Sequence, residues 1–191
     1  GTDGIAGAEF KLADSLFSDG WGTNEDGNAE LHELIGVQNL FDFPKPSKLL
    51  SKLVSSINDK DCIIMDFFSG SGTLGQAVMN LNDADGGNRK FICVQLPFEF
   101  DKDHAAFKNG YKKATEITSK RLVKSGIKCN KGDIGFKYIK LLNSNFKKWN
   151  DVQGKDISQL ENSLDLFNSS PLREDWNKNK LLTELMLLEG F

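Results

Sequence analysis

The sequence predicts an α/β fold built on one strand, a glycine turn and a helix. Three observations carry that prediction. Ile63-Ile64-Met65 is an apolar run that reaches Asp66, Phe67 and Phe68, breaks at Ser69-Gly70-Ser71-Gly72 and resumes with helical spacing at Leu74, Ala77, Val78 and Leu81. Lys90 to Leu96 is a second apolar run, stopped by Pro97. The stretch between them is long enough for one helix, so the two strands are expected to be parallel with a right-handed crossover. A strand that is apolar at successive positions is expected to be buried on both faces.

The bulk numbers bound the rest. At 191 residues the chain fits one domain, or one domain with appendages. A net charge of −3 excludes nucleic-acid binding by bulk basicity. No apolar run reaches the roughly 18 residues of a membrane span, and nothing resembles a signal peptide. The expected compartment is the cytoplasm, without a membrane partner. Cys62, Cys93 and Cys129 lack metal-site spacing and read as reduced core thiols. His32 and His104 stand alone in polar surroundings, so no metal site is predicted. Gly1 and the apolar end at Phe191 are read as cut ends of a larger protein.

In chain order, residues 1–40 form an irregular segment in which Gly20–Thr23 and Asn24–Gly27 read as turns. Ala29 to Ile35 is expected to be a short helix ended by Gly36. Residues 41–142 make up the α/β portion. Phe41 to Ser47 is extended, because Pro44 and Pro46 fix their own φ and restrict their predecessors. Ser47 is expected to cap a helix whose face is Leu49, Leu50, Leu53, Val54 and Ile57. Asn82 to Asn88 reads as a loop. Asn109 to about Lys124 reads as a helix carrying Tyr111, Ala114, Ile117, Thr118, Arg121 and Leu122. The lysines of 108–131 and their one arginine read either as a phosphate-facing patch or as a solvated helix face. A third strand is expected near Phe136 to Leu141. Residues 143–191 form an extension that is weakly patterned until a last helix from Ser170-Pro171 through Leu188.

Gly70-Ser-Gly-Thr-Leu-Gly75 satisfies G-x-G-x-x-G, a weak signal alone. It leaves open a bare tight turn, or an NAD-dependent oxidoreductase domain. Against NAD, Asp66 at the strand end would repel a pyrophosphate. The second strand ends in Gln95 rather than the acid that grips a ribose diol. Phe68 before the turn suits a flat group. S-adenosylmethionine fits better, having an ammonium, a carboxylate, a sulfonium and an adenosine but no phosphate. Gly70 and Gly72 let backbone approach it. Asp66 would serve the ammonium, or only cap the turn; Lys45 would serve the carboxylate, or only face solvent.

The resemblance is specific. Asp66-Phe-Phe-Ser-Gly-Ser-Gly-Thr73 resembles the cofactor motif of amino-methylating DNA methyltransferases, and Phe43-Pro-Lys-Pro46 the lysine-proline motif of their beta group, in that group's order. Asp85 to Pro97, Gly110-Tyr111, Ile117 to Arg121, Gly135 to Leu141 and Ser144 to Trp149 resemble type III restriction-modification methyltransferases (Mod subunits). This implies part of a Rossmann-like S-adenosylmethionine-dependent methyltransferase fold: three parallel-type strands with flanking helices. It implies a cofactor site of Asp66, Phe68, Ser69, Gly70, Gly72 and Thr73, with Lys45, Pro46 and Ser47 from upstream and Gln95 for the ribose hydroxyls. It also implies N6 methylation of a flipped adenine in double-stranded DNA and a restriction (Res) subunit as partner. The sequence departs from the family in two places. Its four prolines include no adjacent pair, so the Asp-Pro-Pro-Tyr tetrad is absent and no catalytic residue is assigned. Phe98 also intervenes between Pro97 and Glu99, which leaves the role of Glu99 unassigned. The chain therefore reads as the inactive, cofactor-binding portion of such an enzyme, or as a non-catalytic interaction module of the modification complex. Without the tetrad half, Ile63–Phe68 is an open edge. It is expected to be covered by a homodimer, by residues 1–40 or by the missing half.

Overall fold

A computed structural model describes residues 20–129, 135–148, 157–169 and 171–190. The chain divides into two compact units, one ending at Tyr138 and the other starting at Ile139.

The first unit opens with α1, Asn24–Ile35. The Thr23 hydroxyl accepts from the Asp26 amide at 3.2 Å, and the Asp26 carboxylate accepts from the Thr23 amide at 2.7 Å. This reciprocal capping box makes Asn24–Gly27, expected as a turn, the first turn of a helix. Gly36 ends α1 in the left-handed region at φ 89°, as expected. Helix α2, Ser47–Ser55, follows Pro46, which occupies the cap position without a side-chain bond. Ser47 is thus the first helical residue and not the cap; its amide is satisfied by the Glu30 carboxylate at 2.8 Å.

Strand β1 is Ile63–Asp66, α3 is Thr73–Asp85 and β2 is Lys90–Cys93. The strands pair in parallel, Ile63 opposite Lys90 and Asp66 opposite Cys93. Asn82–Asp85, expected as loop, continues α3 to Gly86 at φ 68°. The reason lies beyond the helix: the Asn82 side chain pairs with both backbone groups of Arg89, at 2.8 and 3.1 Å. The Asp85 carboxylate accepts from the Arg89 guanidinium at 3.0 and 2.9 Å. Arg89, and next the Gly87 amide, hold the Asp85 carboxyl far below the usual carboxylate range. Its contribution to stability is present above the unfolded value near 4 and lost as pH falls toward the lower folded value. An Asp85→Asn chain should therefore show a flatter loss of stability below about pH 4, read from urea melts across pH.

One face of the sheet meets helices. Ile64, Phe91 and Cys93 pack with Val54, Leu74 and Val78, and burial pushes the Cys93 thiol up to about 11. The other face is open: Ile63, Met65 and Ile92 are 64%, 48% and 44% exposed. Burial on both faces, expected from the apolar run, does not hold. Among the described residues no strand pairs with the second edge of β1. Residues 20–40 add no strand to that edge; residues 1–19 lie outside the described residues. The strand expected at Phe136–Leu141 is absent too, and among the described residues the sheet has two strands. Ile139 and Leu141 are 82% and 101% exposed, and without a ladder or packed face strand propensity alone specifies nothing.

A short α4, Ala105–Lys108, precedes α5, Ala114–Lys128. Helix α5 starts later than expected because Glu99 and Lys113 form an antiparallel bridge just before it, and it runs through Gly126. A second core joins Leu31, Leu40, Ala106 and Ile117, flanked by Phe41, Phe100 and Tyr111. His104 is not isolated: Nδ1 accepts from the Ala106 amide at 3.1 Å and its ring stacks on Phe100 at 4.6 Å.

The second unit holds α6, Ile157–Ser169, which the weak pattern did not predict, and α7, Lys178–Leu188. Helix α7 starts after Pro171, because Asn177 caps it by accepting from the Asn179 and Lys180 amides at 3.1 and 3.3 Å. Pro171 instead offers its carbonyl to the Lys147 amide at 2.8 Å, beside an antiparallel bridge from Phe146 to Leu172. Buried Asn145 donates its amide and Nδ2 to Glu184 Oε2, each at 2.8 Å. Bonds from Ser144 and then Asn145 lower the Glu184 carboxyl. No helix of the described residues is long and apolar enough to cross a membrane.

Candidate cofactor site

The turn between β1 and α3 is fixed from three sides. The Gly72 amide donates to the Ser69 carbonyl at 2.7 Å and closes the turn, with Gly70 and Gly72 at φ 52° and 85°. From the β2 side, Val94 O accepts from the Ser69 amide at 3.1 Å and Gln95 Oε1 from the Gly70 amide at 2.7 Å. From α5, the Thr118 hydroxyl donates to the Gly70 carbonyl at 2.6 Å. A Cβ on Gly72 would lie 3.1 Å from Thr118 Cγ2, and one on Gly75 would overlap Leu122 Cδ2. These glycines therefore admit protein as well as ligand: Gly72 lets the turn sit on α5, and Gly75 lets α3 sit between α5 and β2.

Beneath the turn lies Arg121, fully buried. Its Nε donates to Gln76 Oε1 at 2.6 Å, and its Nη1 to the hydroxyls of Ser71 and Thr73 at 2.7 and 2.8 Å. Nη2 reaches Glu30 Oε2 at 3.4 Å. Burial brings the guanidinium down to about 10, against the pull of Glu30, so it stays charged at neutral pH. The one arginine of the basic stretch thus faces inward, and the phosphate-facing reading does not apply to it. Its spacing was legible: Ala114, Ile117, Thr118, Arg121 and Leu122 fall on one helical face. The sequence reading assigned it no site role.

The network brings the lysine-proline segment to the turn. The Thr73 hydroxyl donates to the Lys45 carbonyl at 3.0 Å. Pro44 and Pro46 are fully buried, and a Cβ on Gly22 would lie 2.8 Å from Pro46 Cγ. Lys45 Nζ donates to Asn24 Oδ1 at 2.9 Å. Asp66, at the end of β1, gives one oxygen to the Phe68 amide at 2.9 Å, which caps the turn; its other oxygen takes no hydrogen bond among the described residues. Phe68 stands 87% exposed at the lip. Ser69 is buried, and its hydroxyl lacks a hydrogen-bond partner among the described residues. Gln95 spends its amide oxygen on Gly70 and donates Nε2 to the Leu96 carbonyl at 3.1 Å, so it shapes the turn. Glu99 lies in the Lys113 bridge, with a side-chain ion pair at 3.4 Å.

The donor set fits a small zwitterion. A carboxylate oxygen of Asp66 suits a cation. The first turn of α3 carries no side-chain cap at Gly72; helix-start N–H groups suit an anion, and here they belong to the buried residues Thr73 to Gly75. Phe68, whose amide bonds to Asp66, offers an exposed aromatic face.

Residues 11–100 match the DNA methylase family. The chain is 35% identical over 142 residues to the type III restriction-modification enzyme StyLTI Mod subunit of Salmonella typhimurium, covering 71% of this chain and 22% of that protein. It is 40% identical over 166 residues to the EcoPI Mod subunit of Escherichia phage P1, covering 84% and 24%. A type II methyltransferase, M.KpnI of Klebsiella pneumoniae, is 32% identical over 128 residues, covering 67% and 30%. The chain thus spans about a quarter of the length of the curated relatives it matches. With the glycine turn and the lysine-proline segment joined in one network, residues 11–100 belong to the DNA methylase family, and the chain is similar to type III Mod subunits over part of their length.

Proposed function

We propose that this chain is the S-adenosylmethionine-binding portion of a site-specific DNA adenine-N6 methyltransferase of a type III restriction-modification system. The observation that carries the reading is the Thr73–Lys45 hydrogen bond, which sets the lysine-proline segment against the glycine turn. In this reading Asp66 receives the ammonium of the cofactor. The first turn of α3 and Lys45 face its carboxylate, and Phe68 packs on its adenine. When bound, the cofactor supplies an electrophilic methyl group. The chain's own residues bind and orient it, and the adenine-binding tetrad lies in another part of the parent enzyme. DNA and a Res subunit are partners of that parent.

Calorimetry with S-adenosylmethionine tests this directly. The chain should bind it, while incubation with DNA should yield no methylated adenine. Asp66→Asn keeps the cap on the Phe68 amide but removes the charge. It should raise Kd by roughly tenfold, the value of one charge-assisted hydrogen bond. No binding by the unaltered chain overturns the cofactor assignment, and turnover by this chain alone overturns its inactivity.

A further inference from the structure

We propose that Arg121 is a positioning residue for the cofactor site, holding the lysine-proline segment and the glycine turn at one fixed separation. The proposal rests on the cofactor reading above. No atom of Arg121 is exposed, so it does not touch a ligand; it acts through its partners. On one side it grips the turn, through Ser71 and Thr73, and the first turns of α3, through Gln76. On the other it reaches Glu30 of α1, whose Oε2 also accepts from the Ser47 amide at 2.8 Å. The hydroxyl of Thr73 has a set direction. It accepts from Arg121, which leaves its proton for the Lys45 carbonyl. Two hydrogen-bond routes therefore run from one guanidinium to the lysine-proline segment: through Thr73 to Lys45, and through Glu30 to Ser47. A planar fork with separate Nε, Nη1 and Nη2 donors is needed to serve both at once, which a lysine ammonium does not supply.

The closing experiment compares the unaltered chain with Arg121→Lys in two arms. The first uses no ligand. Hydrogen exchange at the Ser47 amide should speed up about tenfold, while the amides of Val78 to Leu81 stay unchanged. The second compares S-adenosylhomocysteine, which spans the turn and the lysine-proline segment, with adenosine, which does not. Affinity for the first should fall about tenfold and for the second less than about twofold. Unchanged Ser47 exchange overturns the proposal, and so does an equal loss for both ligands, which marks general loosening. Faster exchange in a system where the unaltered chain binds neither ligand overturns the cofactor reading but leaves the mechanical link standing. Should Arg121→Lys fail to fold, Thr73→Val, which removes only the Lys45 route, is read by the same ligand pair with the same two outcomes.

Discussion

Arg121→Met should cost about 3–5 kcal/mol of stability, the range for removing one partner of a buried charged network. The methionine fills much of the volume but donates nothing. The Ser71 and Thr73 hydroxyls, the Gln76 amide oxygen and one Glu30 oxygen then lose a donor together. Ser71, Thr73 and Gln76 are buried, so water does not replace the arginine cheaply. For a chain of this size each kcal/mol moves Tm by about 2–4 °C, so the midpoint should drop by roughly 6–20 °C. A drop under about 2 °C in a thermal melt would mean that the network is solvated and that Arg121 is replaceable.

Gly27→Ala sets two effects of opposite sign against each other. Within a helix alanine is favoured over glycine by about 1 kcal/mol, so propensity alone predicts a more stable chain. The new Cβ, however, would overlap the Pro44 carbonyl oxygen and lie 2.8 and 2.9 Å from the carbonyl carbons of Pro44 and Lys45. Those are backbone atoms, flanked by two fully buried prolines and tied to Thr73, so they do not step aside by a rotamer change. Overpacking of about 3 kcal/mol should win and leave a net loss of about 2 kcal/mol. Because the yielding segment carries Lys45, cofactor affinity should fall at least tenfold. A urea melt and a calorimetric titration of one preparation check both, and a stabilised variant would sink the argument.

The parts of the fold that were legible are those written as local chemistry. Two apolar runs, a glycine turn and helical spacing at Leu74, Ala77 and Val78 specified β1, α3 and β2, because adjacent residues decide them. The lysine-proline segment was legible for the same reason: two prolines fix their own backbone. What the sequence hid depends on distant partners. The end of α3 is set by Asn82 reaching Arg89, and the start of α5 by Glu99 pairing with Lys113. Phe136–Leu141 has strand-like residues but joins no sheet among the described residues, so pattern and structure part there. The sheet's open face is a third case. A run such as Ile63-Ile64-Met65 states only that its residues are apolar, not whether anything lies above them. In the candidate site, the motif points to the positions around the turn. Arg121 was missed because a charged residue in a lysine-rich stretch reads as surface until its helical face is counted.

The clamp also has a place in time. Its ends, Glu30 and Arg121, are 91 positions apart, whereas the sheet pairs Ile63 with Lys90 across a single crossover. Closing the longer loop costs about 1 kcal/mol more chain entropy than closing the shorter one. On entropy alone, strand, turn and helix assemble first, and the arginine arrives at a turn already formed. The same guanidinium that fixes the turn against the lysine-proline segment is then the last link to close. The shape of the site is completed only when two distant parts of the chain have met.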